Sequence, residues 1–378
     1  MDVQRCCVLI PSLEPDQKLP DYVKELRTAG FGLILVIDDG SSASYQHFFD
    51  EIDGWEGCKV LHHEVNRGKG AALRTGFAYI LNETELEGVI TADSDGQHTV
   101  PDTLRLAAQL NHEKRELLLG SRDFSRHSTQ VPPKSRFGNR LTSGIFALLY
   151  GRWLPDTQTG LRAMSREMLN DCLSITGDRF EYEMNQLIYC SGHHIEMTVV
   201  PIETVYHNEN QGTHFHPIRD SWRIYKLILG NFFKYMSSSL ICTLVDHILF
   251  TLLGMWLLPK LIPQGTTWLI LGMRLAAITL VATWVARLFS ASLNYYLNKS
   301  FVFQLKQSKG SALRYVVVAV GVMLLSSLLV GGLSALFGLR ETDFANTLIK
   351  IVIDTILYFV NYRIQKNWVF ANDNSKER

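Results

Sequence analysis

Gly88-Val89-Ile90-Thr91-Ala92-Asp93-Ser94-Asp95-Gly96-Gln97 is the stretch whose reading decides the fold. Its first half is a short apolar run of the kind that forms a buried strand. Its second half sets two carboxylates at i and i+2, followed by a glycine and a side-chain amide. Oxygen donors so spaced, just past a strand end, suit a hard divalent cation. Such a cation could hold the diphosphate of a sugar nucleotide.

The segments before it repeat the same grammar. Cys7-Val8-Leu9-Ile10 ends at Pro11, and a helical pattern with Leu19, Tyr22, Val23 and Leu26 stops at Gly30. Leu33-Ile34-Leu35-Val36-Ile37 ends at Asp38-Asp39-Gly40-Ser41. Lys59-Val60-Leu61-His62 precedes Asn66-Arg67-Gly68-Lys69-Gly70, which opens another helix. Strands alternating with helices predict an α/β domain with a mostly parallel sheet covered by helices. In such sheets ligands bind beyond the carboxyl ends of the strands. Pro11, Asp38, Asp39, Lys69, Asp93 and Asp95 all fall there, so they are expected to converge. Each piece alone is an ordinary turn or helix start. The whole set, in this order and each past a strand, points to one site.

The chain has 378 residues, enough for two domains, and its formal net charge is zero. A neutral chain has no broad positive field, so no nucleic-acid partner is expected. Six cysteines lie scattered without metal-type spacing, which fits reduced thiols in a domain facing the cytosol. No signal peptide is expected, because Asp2, Gln4 and Arg5 lead directly into a strand-like run.

From residue 216 the character changes. Ile218, Trp222, Tyr225, Leu229, Phe232 and Met236 form one helical face, with Arg219, Arg223, Lys226 and Lys234 off it. This predicts an amphipathic juxtamembrane helix over 216–237. Four apolar segments follow, roughly 238–258, 268–293, 315–339 and 345–362, against the ~20 residues a span requires. They predict an all-α four-helix transmembrane domain over 238–370, with 371–378 as a tail. Asp246, Arg274, Arg287, Lys350 and Asp354 lie inside these segments, and such charges usually face a bundle interior. The 298–314 connection carries Lys299, Lys306, Lys309 and Arg314, and the tail begins with Arg363 and Lys366. The positive-inside rule puts both on the cytoplasmic side, the side of the soluble domain when the spans are even in number. The chain therefore reads as an integral membrane protein with its soluble domain, 1–215, in the cytoplasm.

The membrane part repeats itself. Asn294-Tyr295-Tyr296-Leu297-Asn298-Lys299-Ser300-Phe301-Val302-Phe303 aligns with Asn361-Tyr362-Arg363-Ile364-Gln365-Lys366-Asn367-Trp368-Val369-Phe370. Both stretches sit where a span ends, the pattern of a duplicated helical hairpin.

The order Ile10-Pro11-Ser12, Val36 to Ser41, Asn66 to Gly70, Ala92 to His98 and Gly120-Ser121-Arg122 resembles glycosyltransferase family 2, with its GT-A fold. Ser135-Arg136-Phe137-Gly138-Asn139-Arg140 and Asp156-Thr157-Gln158-Thr159-Gly160-Leu161-Arg162 resemble the polyprenyl-phosphate and dolichyl-phosphate sugar synthases of that family. The Gln-x-x-Arg-Trp motif of its processive polysaccharide synthases is absent. The membrane part resembles the GtrA-like four-helix domain.

The resemblance implies an inverting hexosyltransferase. Its donor would be a UDP- or GDP-hexose, its acceptor undecaprenyl or dolichyl phosphate, and its cofactor Mg2+ or Mn2+. It implies that Pro11, Asp38, Asp39, Lys69, Asp93, Ser94, Asp156 and Arg162 bind the nucleotide sugar, and that Asp93, Asp95 and Gln97 face the metal. Asp95, Arg122 and Arg136 would be catalytic, and Ser135, Arg136, His207 and His214 would meet the acceptor phosphate. It further implies contact with membrane lipids, a place in a bacterial inner membrane, and room for a homo-oligomer. The alternative is a lipid-linked sugar flippase or scaffold with a non-catalytic soluble module. Asp39, Asp93, Asp95 and Arg162 together argue against it. Neither the base nor the sugar is named by these residues.

Overall fold

The computed structural model describes residues 2–123, 133–203, 217–270, 273–303, 310–337 and 344–370. It divides into two compact units, Met1–Ile228 and Leu229–Arg378.

The first unit alternates strands and helices in the expected order. They are β1 (Cys6–Ser12), α1 (Lys18–Thr28), β2 (Leu33–Asp38), α2 (Gln46–Asp53), β3 (Cys58–His62), α3 (Lys69–Glu83) and β4 (Gly88–Thr91). Then come α4 (Val100–Gln109), β5 (Glu116–Ser121), α5 (Pro133–Tyr150), β6 (Arg162–Ser165), α6 (Arg166–Ser174), α7 (Glu181–Gly192) and β7 (Glu196–Pro201). The seven strands form one sheet in the order β3-β2-β1-β4-β6-β5-β7. All neighbours are parallel except β6, which runs antiparallel to both β4 and β5. This is the mostly parallel GT-A sheet the sequence predicts.

β1 is buried along its whole length, because helices cover both faces of a parallel sheet. Pro11 is tolerated in this central strand because β4 pairs only with Cys6 to Leu9. The missing N–H of Pro11 falls beyond that ladder. On α1 the buried Leu19, Tyr22, Val23 and Leu26 fall at i, i+3, i+4 and i+7, one stripe laid on the sheet.

Helix α8 (Pro217–Leu252) runs unbroken for 36 residues. The juxtamembrane helix and the first expected span are thus one element. After Pro217, which suits a helix start, its interior holds no proline. Beyond it lie an antiparallel hairpin, β8 (Thr267–Ile270) with β9 (Met273–Ala276), and then α9 (Ala277–Leu297), α10 (Ser311–Leu336) and α11 (Phe344–Ile364). The second expected span, 268–293, therefore starts late, since β8 and β9 precede its helix. Among the described residues three stretches are long and apolar enough to cross a membrane: Tyr225–Lys260, Ala277–Val302 and Ser311–Val330. The fourth expected span is α11, a 21-residue helix carrying Lys350 and Asp354; it is not among those three.

The sequence repeat is also a repeat in space. Asn361 Nδ2 donates to Tyr235 Oη at 3.0 Å, and Tyr315 Oη donates to Asn294 Oδ1 at 3.0 Å. Tyr235 lies 6.3 Å from Phe303 between ring centroids, and Tyr315 lies 6.4 Å from Phe370. Tyr295 and Phe370 are 5.7 Å apart, and Tyr362 and Phe303 are 5.9 Å apart. Each contact is the counterpart of another when the two hairpins are exchanged. The pairs that map onto themselves, Asn298 Nδ2 to Gln365 Oε1 at 3.0 Å and Phe303 to Phe370 at 5.2 Å, mark the pseudo-two-fold axis. Both halves end in a turn of π-helix, Asn298–Val302 and Gln365–Val369.

Candidate active site

Asp93 and Asp95 stand on the turn that follows β4, between the central strand β1 and the antiparallel β6. Asp93 Oδ1 lies 2.6 Å from Lys69 Nζ, and its Oδ2 lies 3.4 Å from His98 Nε2. Lys69 is the first residue of α3, and its ammonium also reaches Glu183 Oε1 on α7 at 2.9 Å. Burial works against the Asp93 anion, but the Lys69 charge, then the hydrogen bond and charge of His98, hold its carboxyl well below the usual range. For Lys69, burial works against the cation, and Asp93 and then Glu183 outweigh it, so the ammonium sits above the ordinary lysine value. Asp95 is pushed the other way. Burial first, and then the Asp93 charge, raise its carboxyl.

Asp95 Oδ1 accepts the Gln97 N–H at 3.0 Å, which folds the turn back and puts Asp93, Ser94, Asp95 and Gln97 on one partly exposed loop. Two acidic groups crowded on a partly exposed turn, the Asp95 carboxyl raised by burial and by the Asp93 charge, fit a divalent cation. Its charge would relieve both the burial and the repulsion. The donors are carboxylate and amide oxygens, the type Mg2+ or Mn2+ takes.

The segment 156–162 packs against this turn. Thr91 Oγ1 donates to Gly160 O at 2.8 Å. A Cβ on Gly160 would meet Asp93 Oδ2 at 2.4 Å, so only glycine lets the carboxylate lie there. Asp156 is fully buried and takes Arg122 in a fork, Nε to Oδ2 at 2.7 Å and Nη2 to Oδ1 at 3.0 Å. Arg162 is buried too. Its Nε donates to Thr159 O at 3.0 Å, and its Nη1 to Glu183 O and Gln186 Oε1, both at 2.7 Å. Arg122, Asp156 and Arg162 thus build the walls of the site.

Asp38 and Asp39 are nearly saturated by the protein. Asp38 accepts from Ser41 N at 2.8 Å, Gln46 Nε2 at 3.0 Å and His62 Nδ1 at 2.9 Å. Burial raises its carboxyl, and these hydrogen bonds more than offset that, so it lies below the ordinary value. Asp39 accepts from Arg67 N at 3.0 Å, Gly68 N at 2.7 Å and His63 Nδ1 at 2.7 Å. His63 must therefore be protonated on Nδ1. Its Nε2 then accepts the Thr75 hydroxyl at 2.9 Å. The two aspartates tie β2 to the loop before α3. A carboxylate offers about four acceptor positions, and the protein fills at least three on each.

Gly68 has φ +100°, and a Cβ there would strike Asp178 O at 2.4 Å. Ala71 N donates to Asp178 O at 3.0 Å. The first turn of α3 is thus closed by the 177–178 loop. It is no open phosphate cradle, and Lys69 is what it sends into the site.

Pro11 is buried at the end of β1. Ser135 and Arg136 lie in the first turn of α5, and Arg136 is half-buried. Phe137, Leu141 and Leu148 on the same helix are exposed. His207 and His214 lie outside the described residues. Glu183, His62, His63 and Asp178 were missed by sequence reasoning. His62-His63 follows a strand just as Asp38-Asp39 does, and that was the one available signal.

Residues 8–173 match glycosyl transferase family 2, and residues 234–370 match the GtrA/DPMS transmembrane domain. The chain belongs to glycosyltransferase family 2. It is a membrane glycosyltransferase with a GtrA/DPMS domain behind its catalytic unit. It is similar to an uncharacterised protein of Methanocaldococcus jannaschii, 30% identical over 60% of this chain and 92% of that protein. It is 27% identical to glycosyltransferase AglJ of Haloferax volcanii, over 58% of this chain and 69% of that one. It is also 27% identical to the UDP-N-acetylglucosamine–dolichyl-phosphate N-acetylglucosaminyltransferase of Methanococcus voltae, over 53% of this chain and 85% of that enzyme. Among solved structures, glucosyl-3-phosphoglycerate synthase of Mycobacterium tuberculosis aligns over 60% of this chain and 78% of its own. Its identity is 18% and its TM-score 0.44.

Proposed function

We propose that this transferase moves a hexose from a UDP- or GDP-linked donor to a polyprenyl phosphate at the cytoplasmic face of the membrane. The observation that carries the reading is the Asp93–Asp95 turn. It sets two carboxylates two residues apart on one loop past β4, with the Lys69 ammonium 2.6 Å from Asp93 Oδ1. Asp95, Asp93 and Gln97 would hold Mg2+ or Mn2+, which supplies charge neutralisation of the leaving diphosphate.

The acceptor side rests on α5. Arg136 begins this helix, and the exposed Phe137, Leu141 and Leu148 give it an apolar stripe. A cation at the head of an apolar stripe suits a phosphate on a long hydrocarbon chain. The acceptor also fits the M. voltae relative, whose name states a dolichyl-phosphate acceptor. The attacking oxygen belongs to a phosphate already ionised near neutral pH, so no strong general base is required. It attacks the anomeric carbon as the bond from that carbon to the diphosphate oxygen breaks, and the anomeric centre inverts. The protein aligns the two phosphates and stabilises the charge that develops on the departing one. Lys69 would supply positive charge from the donor side and Arg136 from the acceptor side.

Membranes containing the transferase, incubated with a panel of radiolabelled nucleotide sugars and undecaprenyl phosphate, should yield a label that extracts into organic solvent. One sugar and one base should dominate. Label found solely in water-soluble products, with every donor, would refute the lipid acceptor. A companion variant separates the two sides. Arg136→Ala should raise the KM for polyprenyl phosphate, or lower kcat, while donor binding measured by calorimetry changes little. Collapsed donor affinity with normal acceptor kinetics would move Arg136 to the donor side.

A further inference from the structure

Lys69 has a role that the donor and acceptor assignments do not use up. Its ammonium is the closest cation to Asp93, 2.6 Å from Oδ1, and a second carboxylate, Glu183, holds it from α7 at 2.9 Å. The other oxygen of Asp93 faces His98 and is backed by Gly160. Asp95 has no such arrangement. Asp95 Oδ1 accepts the Gln97 backbone N–H. The charge on this turn is therefore unevenly compensated, with Asp93 already neutralised from within and Asp95 left for an incoming cation.

We propose that Lys69 is a resident counter-ion, occupying the Asp93 oxygen that a divalent cation would share, and that it is released to the donor diphosphate only when metal and donor arrive together. The idea rests on the divalent-cation reading above and deepens it. A metal bound at Asp95 that also touched Asp93 Oδ1 would stand beside an ammonium, where like charges repel strongly. Metal alone therefore binds weakly. When a diphosphate enters, its oxygens offer the ammonium a new anion, and the long lysine stem lets the charge move without moving α3. Glu183 keeps the ammonium inside the site during the exchange. The consequence is ordered loading, because the site resists filling by metal alone and fills readily with metal plus donor.

The test is Mn2+ binding rather than turnover. Free Mn2+ is followed by electron paramagnetic resonance on the full-length, detergent-purified protein, alone and with UDP or GDP in separate arms. In the wild type, Mn2+ alone should bind weakly and tighten at least about tenfold with one of the two diphosphates. In Lys69→Met, Mn2+ alone should bind on the order of tenfold tighter or more, since a like charge has gone, and the nucleotide-dependent tightening should shrink. Lys69→Arg keeps the charge and should behave as the wild type does without nucleotide. Should Lys69→Met be unstable because it leaves Asp93 and Glu183 unpaired, Mn2+ should raise its Tm more than it raises that of the wild type. Equal Mn2+ affinities and equal tightening in wild type and Lys69→Met would overturn the proposal and leave the metal site standing. Failure of the wild type to bind Mn2+ even with nucleotide would remove the metal site and the proposal together.

Discussion

Asp93 is held from three directions, by Lys69, by His98 and by the bare backbone of Gly160. Gly160→Ala should therefore damage activity although it adds only one methyl group. The methyl would push Asp93 out of line, and a misplacement of about 1 Å costs on the order of a hundredfold in rate. The check is kcat in a variant shown to be folded. A wild-type rate would mean that Asp93 can relax without consequence. Asp38 makes a different prediction, about acid stability. Its folded-state carboxyl lies below the ordinary value, so the stability it contributes is present above about pH 4 and is lost as pH falls through the depressed value. Wild type and Asp38→Asn should thus differ in denaturant midpoint near neutral pH and converge in strong acid. A difference that grew towards low pH would contradict the sign. The carboxylates of this site were legible in the sequence because each follows an apolar strand. Their partners were not. Glu183 lies ninety residues past Asp93 on a helix of ordinary composition, and the Arg122–Asp156 fork spans 34 residues. Only the folded sheet brings such pairs together.

At the scale of elements, the strands up to β4 could be read from their apolar runs and the turn residues that end them. β6 could not, because Arg162-Ala163-Met164-Ser165 is too short and too mixed to declare a strand, and its antiparallel entry between β4 and β5 is set by tertiary packing. The hairpin β8–β9 was hidden for the opposite reason. From Trp268 its residues run into α9 with Arg274 as the single charge, and composition alone does not separate a strand from the start of a span. The duplicated motif was legible, and its packing explains why Asn, Tyr and Phe recur in it: each makes in one hairpin the contact that its counterpart makes in the other. Asn298 bridges Ser238, Asn294 and Gln365. Asn298→Leu should cost about 1 kcal/mol, the scale of polar contacts between membrane helices. Asn298→Leu combined with Gln365→Leu should cost less than the sum of the two single changes, because the second removes a partner already orphaned. Strict additivity in a double-mutant cycle, read from unfolding in detergent, would place the two amides in separate environments.

For the whole molecule, the account joins a GT-A catalytic unit to a membrane unit of duplicated hairpins in one transferase. The proposed topology rests on the basic residues after α9 and is open to direct labelling in cells. A cysteine introduced at Gln264 should react with an impermeant thiol reagent from outside, and one at Ser308 should not. Labelling of the Ser308 position from outside would reverse the orientation. The central claim is that the turn after β4 is where the sugar is transferred. It is tested most directly by comparing the full-length protein with Asp95→Ala for sugar transfer to polyprenyl phosphate in the presence of Mn2+. Losing the carboxylate removes charge stabilisation of the leaving diphosphate worth several kcal/mol, so the rate should fall on the order of a thousandfold or more with the fold intact. Transfer by Asp95→Ala at a rate near that of the wild type would contradict the account.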